Sequence, residues 1–235
     1  MNATLETNQL RQLDQQHHLH PFTDFRDYAQ NGGRIVSRAE HIYIFDSEGN
    51  KIQDAMSGLW CCSLGYSQDG IKQAVADQLM ELPFYNTFFK CSNQPAVELA
   101  SRLTSMAPAH FNKVFFTNSG SEANDTQIKF VHRYFQLLGK PEKRLIISRK
   151  NAYHGSTIAA GSLGGMSAMH EQTQGLNYIH HIEQPHWFEL GGDMSSDEFG
   201  LWAANELAKK IDELGEDKVA AFIAEPIQGA GGVII

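Results

Sequence analysis

Val114-Phe115-Phe116-Thr117-Asn118-Ser119-Gly120-Ser121-Glu122-Ala123-Asn124-Asp125 passes through three kinds of sequence in one short stretch. A β-favouring apolar run opens it, and small polar residues around one glycine break that run. A helical pattern then begins, with Ile128, Val131, Phe135 and Leu138 recurring at i, i+3, i+7 and i+10. A strand that feeds a helix in this way leaves the N–H groups of the first turn without intrahelical partners. Together with the helix dipole they favour an anion. Gly120 lets the backbone come close to a phosphate, and the hydroxyls of Ser119 and Ser121 can cap the helix or bind the ligand. Ser119 with Glu122 also fits a capping box, so the stretch has a plain structural reading beside the phosphate-binding one.

Composition narrows the class. The chain has 235 residues, enough for one large domain or a domain and a half. An apolar fraction of 42% against a charged fraction of 20% belongs to a globular rather than a disordered protein. The net charge of -8, without a Lys/Arg cluster, argues against nucleic acid as a partner. No apolar run approaches the roughly 18 residues of a membrane span, so no membrane partner is expected. The polar, Gln-rich N-terminus holds no signal-peptide core. Cys61, Cys62 and Cys91 form neither a disulfide framework nor a C-x-x-C pair. The expectation is a cytoplasmic protein. The P-loop pattern and the G-x-S-x-G elbow are missing, and His170-Glu171 lacks the second histidine of a zincin.

Upstream of the opening stretch, Leu5, Leu10 and Leu13 can line a short helix. His17, His18 and His20 have the look of a metal cluster, but with no acidic or cysteine partner recognised nearby they read as a mobile surface segment. Ile42 to Phe45, the Asp46-Ser47-Glu48-Gly49-Asn50 turn signal and Lys51-Ile52 read as an antiparallel hairpin. Met56 to Tyr66 is bounded by glycine and carries Leu59 and Trp60 without helical spacing, as core packing or as a pocket wall. Ile71, Val75, Leu79 and Leu82 share a helix face that Pro83 stops. The aromatics of Phe84-Tyr85-Asn86-Thr87-Phe88-Phe89 suit an interface or a pocket edge, and Pro95 opens the next helix.

Downstream, Leu145-Ile146-Ile147 reads as a buried strand that completes a β-α-β unit. Tyr153 and His154 follow at its C-terminal end, where open α/β sheets bind ligands. Tyr153 offers a flat face there and His154 a titratable ring. A third strand is expected over 178–182 and a helix over 197–214, with Leu201, Ala204, Leu207, Ala208 and Ile211 inward. The continuously apolar run 219–224 suits a parallel strand covered on both faces, and it ends in Glu225-Pro226.

Six segments occur in order: Leu59-Trp60-Cys61; Glu81-Leu82-Pro83-Phe84-Tyr85-Asn86-Thr87-Phe88-Phe89; Ser119-Gly120-Ser121-Glu122-Ala123-Asn124-Asp125; Tyr153-His154-Gly155-Ser156-Thr157; Gly191-Gly192-Asp193; and Ala224-Glu225-Pro226-Ile227-Gln228-Gly229-Ala230-Gly231-Gly232. As a set, from about Phe22 onward, the chain resembles the class III, fold-type I pyridoxal-phosphate aminotransferases. The match is to the ω-amino acid and amine:pyruvate branch, which includes putrescine–pyruvate aminotransferases. The resemblance implies an α/β fold with a mostly parallel sheet and helices on both faces, later strands of the sheet being missing, so that 114–117 is expected to make no ladder bonds to 145–147 and 219–224 to lack a partner on one side. It divides the chain into an arm and small-domain hairpin over 1–55 and an incomplete large cofactor domain over 56–235.

The resemblance also implies pyridoxal 5'-phosphate as cofactor, an amine donor and pyruvate as substrates, and a homodimer. Gly120 and Ser121 would hold the cofactor phosphate and Tyr153 would stack on its ring, with His154 close by. Glu225 would belong to the polar network beneath the ring. Leu59, Trp60, Ala230 and Phe22 would line the substrate pocket, which Phe88 would complete across the dimer interface. The family's Schiff-base lysine, and the aspartate that pairs with the pyridinium nitrogen, lie downstream of the Glu225-Pro226 strand and beyond Ile235. The expectation is therefore the N-terminal portion of an enzyme, without a catalytic lysine of its own. Two alternatives stay open: a truncated, non-catalytic chain that associates with a full-length partner, and an aminomutase on the same fold.

Overall fold

A computed structural model describes residues 6–172 and 174–235. Leu5 lies outside them. The chain divides into two compact units, Met1–Leu99 and Ala100–Ile235.

In the first unit, helix α1 spans Thr7–His17 and α2 spans Phe25–Asn31. The Asp24 carboxylate caps α2 by accepting from the N–H of Arg26 at 2.8 Å. Strands β1 (Val36–Glu40), β2 (Tyr43–Asp46) and β3 (Lys51–Gln53) form an antiparallel sheet in that order. The expected hairpin is its β2–β3 half. The Asp46 carboxylate closes that turn, accepting from the N–H groups of Glu48 at 3.0 Å and Asn50 at 2.9 Å. The β1–β2 turn carries no glycine or proline. His41 takes the left-handed conformation there (φ 52°), which gave no sequence signal.

Helix α3 (Asp69–Glu81) stops before Pro83, and α4 (Gln94–Met106) carries Pro95 in its first turn, one residue later than expected. Ile71, Val75 and Leu79 share the expected face of α3, yet each is 55% exposed. Val97, Leu99 and Leu103 on α4 are exposed as well.

The second unit holds α5 (Gly120–Leu137), β4 (Leu145–Arg149), α6 (Ile158–Leu163), α7 (Ser167–His170), β5 (Ile179–Ile182), α8 (Trp187–Leu190), α9 (Ser196–Leu214) and β6 (Val219–Phe222). The sheet is parallel, in the order β5-β4-β6. Ile146 of β4 pairs with Ile179 on one side and Ala221 on the other. Strand alternation sends neighbouring residues of β4 to opposite faces. Ile146 joins Ile128 of α5, Leu163 of α6 and Ile179 in one core cluster. Ile147 joins Ile182 and Val219 in the other, against Leu207, Ile211 and Leu214 of α9. Helices therefore cover both faces, as an α/β parallel sheet requires.

Two expectations need correction. Residues 114–117 form no strand, which corrects the β-α-β reading of the residues and agrees with the family arrangement, in which this run makes no ladder bonds to 145–147. A strand needs a ladder partner; among the described residues none pairs with this run, and Phe115 is 66% exposed. On α9, Leu201, Ala204 and Ala208 face solvent, and the inward side is instead Phe199, Leu207, Ile211 and Leu214. The actual stripe starts at Phe199, which is 3% exposed. Composition alone does not tell that register from its neighbour.

Candidate functional site

Helix α5 starts at the residues that opened the sequence analysis. Ser119 is its N-cap, and its hydroxyl accepts from the N–H of Glu122 at 3.1 Å. The Glu122 carboxylate reaches back one residue further than a capping box does, accepting from the N–H of Asn118 at 2.8 Å. Among the described residues, the N–H groups of Gly120 and Ser121 find no acceptor. A Cβ on Gly120 would meet nothing within 4 Å. The helix thus offers two free donors and its positive dipole end beside open space, an arrangement that attracts an anion.

The loop after β4 closes onto this helix end. The Ser121 hydroxyl accepts from the N–H of Ser156 at 3.0 Å, and the Asn124 amide donates to the carbonyl of His154 at 2.6 Å. The Asp125 carboxylate accepts from the Thr157 hydroxyl at 2.8 Å and from the N–H of Ala160 at 3.2 Å, which fixes the start of α6. The approach is so close that only glycine fits at position 155. Its φ is +131°, and a Cβ there would lie 2.8 Å from the Cβ of Ala160.

Glu225 follows β6 and ties two loops together. Its carboxylate accepts from the N–H of Tyr153 at 2.9 Å and from the N–H of Gly229 at 3.0 Å. The Asn151 amide donates to the carbonyl of Gly231 at 2.7 Å, and the Gln228 amide to that of Lys150 at 3.1 Å. Tyr153 itself is 40% exposed. His154 is buried, and its Nε2 has no partner among the described residues. Burial pushes the His154 imidazole below its ordinary pKa; the Glu225 charge works in the opposite direction and His181 adds to the lowering. The ring is thus held neutral, with a buried ring nitrogen left without a partner among the described residues.

Gly120, Ser121, Tyr153, His154 and Glu225 therefore lie within one hydrogen-bonded cluster of the second unit. Ala230 sits exposed in the Gly229–Gly232 turn of the same unit. Phe22, Leu59, Trp60 and Phe88 belong to the first unit and are 81%, 69%, 61% and 70% exposed. Phe22, Leu59 and Trp60 have positive φ, and with Ser57 and Gly58 the last two make a left-handed turn closed by the Trp60 N–H on the Met56 carbonyl at 2.9 Å. Such backbone costs about 1–2 kcal/mol per non-glycine residue. Sequence reading did not single out Asn124 and Asp125 for a role. The available signal was their spacing, one helical turn after Gly120 and Ser121, which sets them on the same side of α5.

The chain belongs to the class-III aminotransferase family, whose model it matches over residues 27–235. It is 55% identical over 231 residues to a putrescine–pyruvate aminotransferase of Pseudomonas aeruginosa, a match covering 98% of this chain and 51% of that protein. It is 46% identical to a probable mitochondrial γ-aminobutyrate transaminase 2 of Oryza sativa, over 85% of this chain and 41% of the relative. Among solved structures it superposes on an ω-transaminase from Pseudomonas jessenii in complex with PMP, with a TM-score of 0.93 at 42% identity, covering 96% of this chain and 50% of that one. An (S)-enantioselective ω-transaminase from Thermomicrobium roseum gives a TM-score of 0.96 at 34% identity, covering 99% and 52%. The chain spans about half the length of the curated relatives it matches.

Proposed function

We propose that the complete protein is a pyridoxal 5'-phosphate-dependent aminotransferase. It moves an amino group from a primary amine, diamine or ω-amino acid to pyruvate. The observation that carries this reading is the start of α5, where the free N–H groups of Gly120 and Ser121 stand beside open space next to Tyr153, His154 and Glu225. Each part suits one part of the cofactor. The helix end and the Ser121 hydroxyl bind the phosphate. Tyr153 stacks on the ring. His154 would lie close by as a buried ring, and Glu225 keeps the Tyr153 backbone in place. When bound, the cofactor supplies the electron sink for amino transfer.

In this reading none of the lysines of residues 1–235 holds the cofactor covalently. In the complete protein, residues 1–55 are the arm and small-domain hairpin, and residues 56–235 are part of the large domain. Phe22, Leu59, Trp60 and Phe88 of the first unit, and Ala230 of the second, would each be substrate-pocket residues. Support comes from the left-handed backbone of Phe22, Leu59 and Trp60, since such conformations gather where side chains are aimed at ligands. The enzyme is a cytoplasmic homodimer. No described helix is long and apolar enough to cross a membrane.

Steady-state assays on the complete protein test the substrate assignment. Putrescine with pyruvate gives alanine, at a kcat/KM at least about tenfold above that with 2-oxoglutarate, a barrier difference of roughly 1.4 kcal/mol. The reverse order of acceptors removes the protein from the amine:pyruvate branch.

A further inference from the structure

The histidine-rich segment does have an acidic partner: Asp14 stands four residues before His18 and six before His20. Asp14 and His18 lie one turn apart on the last stretch of α1, and the Asp14 Oδ1 meets the His18 Nδ1 at 2.9 Å. Helix α1 then ends as His18 turns extended (φ -111°), Leu19 points outward at 81% exposure, and His20 comes back to place its Nε2 3.0 Å from the Asp14 Oδ2. The Tyr28 hydroxyl on α2 donates to that same oxygen. The rings of His18 and His20 are 4.1 Å apart, and those of His20 and Tyr28 4.8 Å.

This geometry is held from outside. Arg11 donates to the carbonyl of Gly33 at 3.2 Å and Gln15 to that of Tyr28 at 3.1 Å, which pins α1 to the segment around α2. The Tyr28 hydrogen bond, offset in part by desolvation and reinforced by His18 and His20, keeps the Asp14 carboxyl below its usual pKa and so ionised.

We propose that Asp14, His18 and His20 bind one divalent transition-metal ion of the zinc type. One ligand atom from each residue lies within 4.8 Å of the others. The ligand-to-ligand edge of a tetrahedral zinc site is about 3.3 Å, from bonds of about 2.0 Å. The His18 Nδ1 lies 2.9 Å from Oδ1 and the His20 Nε2 3.0 Å from Oδ2, both near that edge but on different oxygens, so the carboxylate would face the ion with both of its oxygens. Two imidazoles and a carboxylate suit Zn²⁺, Ni²⁺ or Cu²⁺; Mg²⁺ and Ca²⁺ want oxygen throughout. The Asp14 side chain is 16% exposed and that of His18 63%, so the site has a closed floor and an open side where water completes the coordination. Tyr28 orients the carboxylate and ties the ion to α2. The ion clips the end of α1 to α2 and takes no part in amino transfer.

The test uses the complete protein, stripped with a chelator and with its thiols alkylated so that Cys61, Cys62 and Cys91 cannot bind metal. Zinc is titrated in competition with a chromophoric chelator, and Co²⁺ is added separately for its visible absorption. One equivalent of zinc binds with micromolar or tighter affinity. The cobalt form shows d–d bands of low coordination number without sulfur charge transfer. His18→Ala and His20→Ala each weaken zinc at least about tenfold; His17→Ala, at an exposed position outside the cluster, leaves it unchanged. Wild-type protein that binds no more zinc than the His18→Ala/His20→Ala double variant overturns the proposal, and leaves the four residues as a hydrogen-bonded staple only. A loss in His17→Ala equal to that in His18→Ala also overturns it.

Discussion

Tyr153 is partly exposed while its backbone N–H is held by Glu225, so its main chain is fixed and its side chain is accessible to a ligand. Tyr153→Ala should weaken the cofactor by the stacking contribution, roughly 0.5–1.5 kcal/mol beyond burial, and Tyr153→Phe should keep most of it. Equal losses in both, measured by spectrophotometric titration, would assign the effect to the hydroxyl. Gly155 poses a steric question. Gly155→Ala combines a strained φ with a Cβ forced against Ala160 and Ser121, and should cost about 2–4 kcal/mol in urea unfolding; a loss under about 0.5 kcal/mol would mean the loop does not press on α5 as described. Ser119 and Gly120 were legible because capping and glycine chemistry are local. The partners of Glu225 were not, since the N–H groups of Tyr153 and Gly229 reach it only after β4 and β6 pair. Asp14 was legible but overlooked, since it stands four residues before His18 in a stretch already read as a short helix; only its approach to His20 and Tyr28 needed the fold.

Among the elements, β4 carries the second unit because it is the central strand and feeds both core clusters. Its alternation was readable, since Ile146 and Ile147 are apolar on both faces, as a covered parallel strand is. The run 114–117 looked equally strand-like, yet its fate depends on a partner, and propensity cannot supply one. Beside β4, the His181 Nε2 lies 2.8 Å from the carbonyl of Gly164 at the end of α6, and burial lowers the His181 pKa in spite of that bond. Burial lowers His154 too. A histidine whose folded pKa is depressed takes up its proton more readily in the unfolded chain. Its contribution is therefore present above the unfolded pKa of about 6.5 and is lost as pH falls below it. The urea midpoint of the complete protein should drop between pH 7.5 and pH 5.5. His181→Gln retains an N–H donor and should flatten that slope. A midpoint independent of pH over this window would show that these rings are not held neutral by the fold.

For the whole molecule, family membership was legible from the order of six motifs, none of which would have sufficed alone. The bare strand edges were legible from the family arrangement, which leaves 114–117 and one side of 219–224 without partners; the exposure of the α3 and α4 faces was not. The apolar faces of α3 and α4 and the aromatics at 84–89 lie outside any core cluster, and β6 has a ladder partner on one side only among the described residues. Expressed alone, residues 1–235 should be poorly soluble, because unpaired strand edges and apolar patches favour association. The complete protein should sediment as a dimer. A monomeric, freely soluble 1–235 chain would contradict the reading of these surfaces as covered in the complete protein.

The most direct test of the account is the affinity of the complete protein for pyridoxal 5'-phosphate with and without a charge at the start of α5. Ser121→Asp sets a carboxylate beside a phosphate that carries close to two negative charges, a repulsion of a few kcal/mol in a partly buried site. Equilibrium titration should show the cofactor binding at least about thirtyfold more weakly, and Ser121→Ala, which also gives up the Ser156 bond but adds no charge, should weaken it far less. Unchanged cofactor affinity in Ser121→Asp would place the phosphate elsewhere and contradict the account.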